Sequence, residues 1–194
     1  PPLGQSDTMV RDLVETLSRH PLLARIAAQK APIRAMTLAI VQIGDGRVPI
    51  GPLAALRTGT PVTIEGGSIG RVDVATYARW NNAVRALIQV NGAAAARVYV
   101  NVKPLFDEAY RELGYPGGDF DDAIVRAIQM LMSTPVPTAD PILLARPAYL
   151  EHDNAVLRSL PPVQKQFLLT GPEHRQQIEG WLRRFANALD LKVD

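Results

Sequence analysis

The sequence of 194 residues has no cysteine, only three histidines and few aromatic residues. Without cysteine, disulfides, thiolate metal sites and cysteine nucleophiles are excluded. Aromatic residues make up 6% of the chain and hydrophobic residues 47%, so a core must consist mainly of aliphatic side chains. The net charge of +2 comes from scattered basic residues, which argues against a nucleic-acid surface or a polybasic membrane patch. No apolar run reaches the roughly 18 residues of a membrane span.

Length and composition together predict one folded domain over residues 1–194. The chain begins with two prolines and no methionine, so we expect a processed or excised fragment, and any signal or anchor would lie upstream of it. On this interpretation residues 1–5 are the remnant of a linker.

The centre of the chain, about 93–132, has the apolar spacing of two amphipathic helices joined by a tight turn. Gly114 suits the left-handed position just after a helix end, and Pro116 prevents the helix from continuing. Asp119 is a good N-cap for the second helix, whose buried face begins at Phe120. We therefore predict a mainly α fold, an irregular helical bundle built on this hairpin, in which these four residues are structural.

Residues 44–73 form a long loop excursion rich in glycine and proline, which is typical of turns. Residues 61–65 are consistent with a short strand and residues 71–72 with a return strand, which together would form a β-hairpin there. Further along, Gly171 and Pro172 are expected to have a structural role, since they separate two helices.

Ser68 lies in a run, Gly66 to Gly70, that matches the nucleophile elbow of hydrolases. An elbow needs a helix that starts at the serine, but the helix signal begins only after Asp73. The base would have to be His152 or His174, and His152 is expected in a surface turn. We favour a plain turn over a nucleophile, and predict no catalytic residue.

Asp119, Asp121 and Asp122 resemble part of a calcium loop, but the positions that need glycine and glutamate hold Ile124 and Met130. These acids are better explained by a helix cap and the helix dipole. The sequence thus predicts no metal and no cofactor.

Two groups of aromatic and arginine residues are candidates for binding. The first is Tyr77, Arg79 and Trp80, and the second, near the hairpin turn, is Tyr110, Arg111 and Tyr115. Such residue types form binding hot spots and stack on sugars. For Tyr77 and Trp80 the competing interpretation, which we favour, is inward packing on one helix face.

Several motifs, taken in order along nearly the whole chain, resemble the bacterial domain of unknown function 3014. They are Pro2-Leu3, Ser6-Asp7, Tyr77 to Trp80, Ala109 to Pro116 with Phe120, Thr134-Pro135, Gln164-Lys165, Leu168-Leu169 and Gly171-Pro172-Glu173. The resemblance implies no reaction and no catalytic residue. It implies a proteobacterial protein with one N-terminal transmembrane segment, a linker and this domain on the periplasmic side of the inner membrane.

The leading hypothesis is therefore an envelope-anchored, non-enzymatic interaction or scaffold domain that binds a protein partner in the cell envelope. Its contact with the membrane would be made only through the absent anchor. The alternative is an envelope hydrolase, or a cell-wall or sugar-acting enzyme, that uses the 44–73 loop.

Overall fold

The computed structural model describes residues 1–147 and 149–193. Within these residues the chain forms ten α-helices and three strands, and 59% of it is helical, so the predicted mainly α fold is confirmed. The helices are α1 Asp7–Leu17, α2 Pro21–Ala27, α3 Pro32–Gly44, α4 Val74–Ala78, α5 Asn81–Ile88, α6 Gly92–Glu112, α7 Phe120–Met132, α8 Ala155–Ser159, α9 Pro162–Leu168 and α10 Pro172–Ala188.

The predicted helical hairpin is formed by α6 and α7. The Asn91 side chain caps α6 by accepting from the Ala94 amide at 3.0 Å. Asp119 caps α7 in the same way, accepting from the Asp121 amide at 2.9 Å. Gly114 follows the end of α6 with a φ of 99°, the left-handed conformation that was expected.

Replacing Gly114 by valine is expected to lower the free energy of unfolding by about 1–2 kcal/mol. A Cβ at this position would meet nothing within 4 Å, so the cost comes from the positive φ alone. Chemical denaturation would measure it. Gly117→Val is the matched control, because Gly117 also has open space around it but no positive φ. Equal stability of the two variants would contradict the prediction.

The main core lies where α3, α6, α7 and α10 meet. Phe120, fully buried at the start of α7, stacks on Phe106 with ring centroids 5.0 Å apart. Tyr99 and Tyr110 of α6 pack against the same ring. Four aromatic side chains thus fill the centre of an otherwise aliphatic core.

Residues 1–5, expected to be the remnant of a linker, contribute to a second apolar cluster. A single 3-10 turn, Leu3–Gln5, places Leu3 against Val10, Ile33 and Ala109, and Leu3 is only 2% exposed. Burying this side chain offsets the entropy of ordering the segment.

A small antiparallel sheet joins distant parts of the chain. Its strands are β1 Ile69–Arg71, β2 Ile142–Ala145 and β3 Leu150–His152, in the order β1-β2-β3. The hairpin expected in the 44–73 excursion is present in part, as a bridge between Ile64 and Val72. The surface turn predicted at His152 is wrong: the imidazole is 4% exposed and its residue pairs with Leu143.

Candidate functional site

The candidate site is an open cleft of about 620 Å³, here named the Arg175 cleft. It lies between the start of α10, the end of α9, Tyr77 of α4 and the loop 136–141. It is lined by Tyr77, Val136, Pro137, Thr138, Ala139, Asp140, Pro141, Leu168, Pro172, Glu173, Arg175, Gln176 and Glu179.

Arg175 forms the base of the cleft and is only 5% exposed. Its guanidinium donates to the carbonyl oxygens of Thr134 at 3.1 Å and Pro135 at 3.2 Å, just after α7 ends. One turn along α10, the Glu179 carboxylate lies 3.5 Å from the same group. The guanidinium also lies over the Phe167 ring, 5.3 Å from its centroid. Arg175 therefore ties the end of α7 to α9 and α10.

Tyr77, which forms one wall of the cleft, packs closely against the backbone of Gly171. Gly171 precedes α10 with a φ of 93° and a ψ of 157°, a conformation that side chains disfavour. A Cβ at Gly171 would lie 2.7 Å from Cγ of Tyr77, so the glycine lets the ring approach the backbone. Burial, with a smaller effect from the Asp140 carboxylate, raises the pKa of the Tyr77 hydroxyl. The phenol therefore stays neutral at physiological pH.

The rim of the cleft is acidic. Asp140, Glu173 and Glu179 line it. Arg175, the one basic residue among the described residues of the lining, is held by carbonyl oxygens and Glu179. Asp140 and Glu173 form no ion pair with any residue that the structure describes. The cleft therefore presents unpaired negative charge beside apolar walls.

The two groups of predicted binding residues lie in different places. Tyr77 lines the Arg175 cleft. Arg79 donates to the Thr60 carbonyl at 3.1 Å and lies 5.4 Å from the centroid of the half-buried Trp80 ring. Burial lowers the pKa of the Arg79 guanidinium. This pair fastens the 44–73 excursion to α4.

At the hairpin turn, Tyr110 is 2% exposed and stacks on Tyr115 with ring centroids 4.4 Å apart. Its hydroxyl accepts from Arg126 at 2.8 Å. Tyr110 is therefore a core residue, whereas Arg111 is exposed and Tyr115 is 37% exposed.

Ser68 is exposed and precedes β1, where its carbonyl oxygen accepts from Ala145 at 2.8 Å. His152 lies on β3, with β2 between the two. Two strand spacings, roughly 10 Å, separate the backbone of β3 from that of β1. His174 lies on α10 with Nδ1 2.8 Å from the Thr170 carbonyl oxygen. Strand β2 thus lies between Ser68 and His152, one of its two candidate bases.

Two of the three acids at the start of α7, Asp119 and Asp121, lie close to Lys103. Its ammonium bonds to Asp119 and lies 3.2 Å from Asp107 and 3.5 Å from Asp121. The hydrogen bond from Lys103 holds the pKa of Asp119 below its ordinary value. Over residues 1–147 and 149–193, no group of three or more potential ligands is arranged to hold a metal, and no helix is long and apolar enough to cross a membrane.

Fold and site together define a mainly helical domain with open surface clefts. The chain belongs to the family described as "Protein of unknown function (DUF3014)", whose model matches residues 32–186. No curated protein and no solved structure matches the chain. Four of the residues on which the resemblance rests, Tyr77, Leu168, Pro172 and Glu173, line the Arg175 cleft.

Proposed function

We propose that this chain is an envelope-anchored, non-enzymatic interaction domain whose Arg175 cleft binds a basic, partly apolar segment of a partner protein. The observation that carries the proposal is the unpaired acidic rim beside apolar walls. A lysine or arginine of the partner would pair with Asp140 or Glu173, while its apolar neighbours cover the walls.

The walls of the cleft favour binding because they are rigid. Pro137, Pro141 and Pro172 line it, and proline has a fixed φ. The Tyr77 ring is held against Gly171. A preformed wall loses little conformational entropy when a ligand binds. Val136, at 80% exposure, supplies an apolar contact at the rim.

The envelope location rests on the family resemblance, which implies an N-terminal anchor and a periplasmic domain. A domain tethered to a membrane meets partners in the same compartment at high effective concentration. A weak cleft contact is therefore sufficient for function in this context.

The test places a photoreactive amino acid at Val136 of the full-length, anchored protein in its own cell envelope. We expect a defined cross-linked adduct that is lost with Asp140→Lys or Glu173→Lys, because each change puts a positive charge on the rim. Val156, 64% exposed on α8 and outside the cleft, is the control position for the cross-linker.

Asp122→Lys is the matched control for Glu173→Lys. Both acids are exposed, and both lie in the first turn of a helix, where losing the acid costs about 0.3–1 kcal/mol. The adduct should survive Asp122→Lys. Three results would contradict the proposal. They are no adduct from Val136, the same adduct from Val156, and an adduct from Val136 that persists in the Glu173→Lys variant.

Ser68 separates this proposal from the hydrolase alternative. A nucleophilic serine needs a base within hydrogen-bond reach and donors for the oxyanion. We expect no labelling of the native protein by a fluorophosphonate probe, measured by intact mass, under conditions that fully label a known serine hydrolase. Stoichiometric labelling that Ser68→Ala abolishes would make the protein a hydrolase instead.

A further inference from the structure

A second cleft, of about 730 Å³, lies at the other end of α10. It is bounded by the last turns of α7, the end of α3 and the segment after α10. We name it the Arg126 cleft. It is lined by Gly44, Arg126, Gln129, Met130, Met132, Ser133, Arg183, Asn187 and Val193.

The charge of this cleft is opposite to that of the Arg175 cleft. Among residues 1–147 and 149–193, the charged residues that line it are Arg126 and Arg183, and none of these lining residues carries a carboxylate. Neither arginine forms an ion pair with a described residue. Two guanidinium groups that share a cleft, with no counter-charge from the part of the chain that the structure describes, favour an anionic ligand.

Arg126 is held in place before any ligand arrives. One of its terminal nitrogens donates to the buried Tyr110 hydroxyl at 2.8 Å, and Tyr110 is fixed by its contacts with Tyr115 and Phe120. The other N–H groups of the guanidinium form no hydrogen bond with a described residue, and their geometry suits a two-pronged contact with a carboxylate. Holding the side chain in advance lowers the entropic cost of binding.

The end of α7 is fixed as well. The buried Gln164 side chain donates to the Met130 carbonyl at 2.8 Å and to the Ser133 hydroxyl at 3.0 Å. Hydrogen bonds from Gln164 of α9 therefore hold Met130 and Ser133, which form this wall of the cleft, in place.

The other lining groups suit a peptide. The amides of Gln129 and Asn187 offer both a donor and an acceptor, as a peptide backbone requires. Met130 and Met132 are flexible apolar side chains that adapt to different neighbours. After α10, the non-helical residues Leu191 and Val193 pack against the adjoining core. A non-helical peptide segment can therefore lie along the same wall.

We propose that the Arg126 cleft binds an acidic segment of a partner protein, with carboxylates on Arg126 and Arg183 and apolar side chains on the two methionines. This site goes beyond the proposed function and does not depend on it, because the two clefts share no lining residue.

The test is an NMR titration of the ¹⁵N-labelled domain with a capped peptide of alternating leucine and glutamate. We expect shifts confined to the cleft, including the side-chain amides of Gln129 and Asn187. The same peptide with glutamine in place of glutamate should bind at least about ten-fold more weakly, because charge-assisted hydrogen bonds are lost.

Arg183→Glu should weaken binding of the acidic peptide by at least about ten-fold. Arg184→Glu is the matched control, since it makes the same charge change at the next, exposed residue of α10, outside the cleft. Glu173→Lys should also leave this binding intact, which separates the two proposals. No shifts at millimolar peptide, equal binding of the glutamine peptide, or equal effects of Arg183→Glu and Arg184→Glu would overturn the inference.

Discussion

Replacing Arg175 by methionine is expected to lower the free energy of unfolding by about 3–5 kcal/mol. The guanidinium is buried and donates to the carbonyl oxygens of Thr134 and Pro135, about 40 residues away in the chain. Methionine fills much of the volume but leaves these two acceptors without a donor and the Glu179 carboxylate without its cation. Urea denaturation monitored by circular dichroism would measure the loss.

Two further variants identify the cause of this loss. Arg184→Met should change stability by less than about 0.5 kcal/mol, because Arg184 is exposed. In the Arg175→Met background, Glu179→Gln should restore part of the loss by removing the isolated charge. A loss below about 1 kcal/mol for Arg175→Met would mean that water replaces the guanidinium, and the prediction would be wrong.

Replacing Gly171 by alanine is expected to lower the free energy of unfolding by about 2–4 kcal/mol, through two separate effects. The backbone at φ 93° and ψ 157° is in a region that belongs almost only to glycine. The new Cβ would also lie 2.7 Å from Cγ of Tyr77, closer than atoms of this kind approach. The ring must then move, which deforms the wall of the Arg175 cleft.

A double-mutant cycle separates the two effects. Tyr77→Ala removes the ring contacts but leaves the Tyr77 Cβ, at 3.1 Å from the new Cβ, and the backbone strain. Gly171→Ala should therefore cost less in that background while keeping roughly 1–3 kcal/mol. Gly51→Ala is the control, because a Cβ there meets nothing within 4 Å and its φ is not positive. An unchanged cost in the Tyr77→Ala background would show that contact with the ring contributes nothing.

Much of the helical hairpin could be predicted because its signals are local. Apolar residues three and four apart define each helix face, and each end carries its own stop or cap. Gly114 and Asp119 act within one turn of their own position, so their conformation and hydrogen bond were predictable. The burial of Phe120 follows from its place on the apolar face of α7.

The candidate site was predictable only in part. Residue type alone indicates a special role for Tyr77, Gly171 and Pro172. It does not do so for Arg175, which the sequence does not distinguish from any other arginine of a polar helix. The only local sign of its role is Glu179 four residues on, a spacing that surface ion pairs share. Its burial depends on the carbonyl oxygens of Thr134 and Pro135, which follow α7 about 40 residues earlier in the chain. No local sequence pattern indicates a contact over that separation.

The three-stranded sheet could not be predicted from local sequence, because it forms only through contacts between distant parts of the chain. Each of its strands has three or four residues, too short for a reliable alternation of apolar and polar side chains. Strand β1 is stabilised by pairing with β2, about 70 residues later, which also buries the His152 region that was expected at the surface.

The sequence by itself determined the helical hairpin, with the helix end at Gly114 and the cap at Asp119, because these depend on residues within about one turn of each other. The tertiary structure decided the sheet, the burial of Leu3, His152 and Arg175, and the separation of acidic and basic side chains into two clefts. Those features depend on groups that lie far apart in the chain, and they become favourable only when packing brings the groups together.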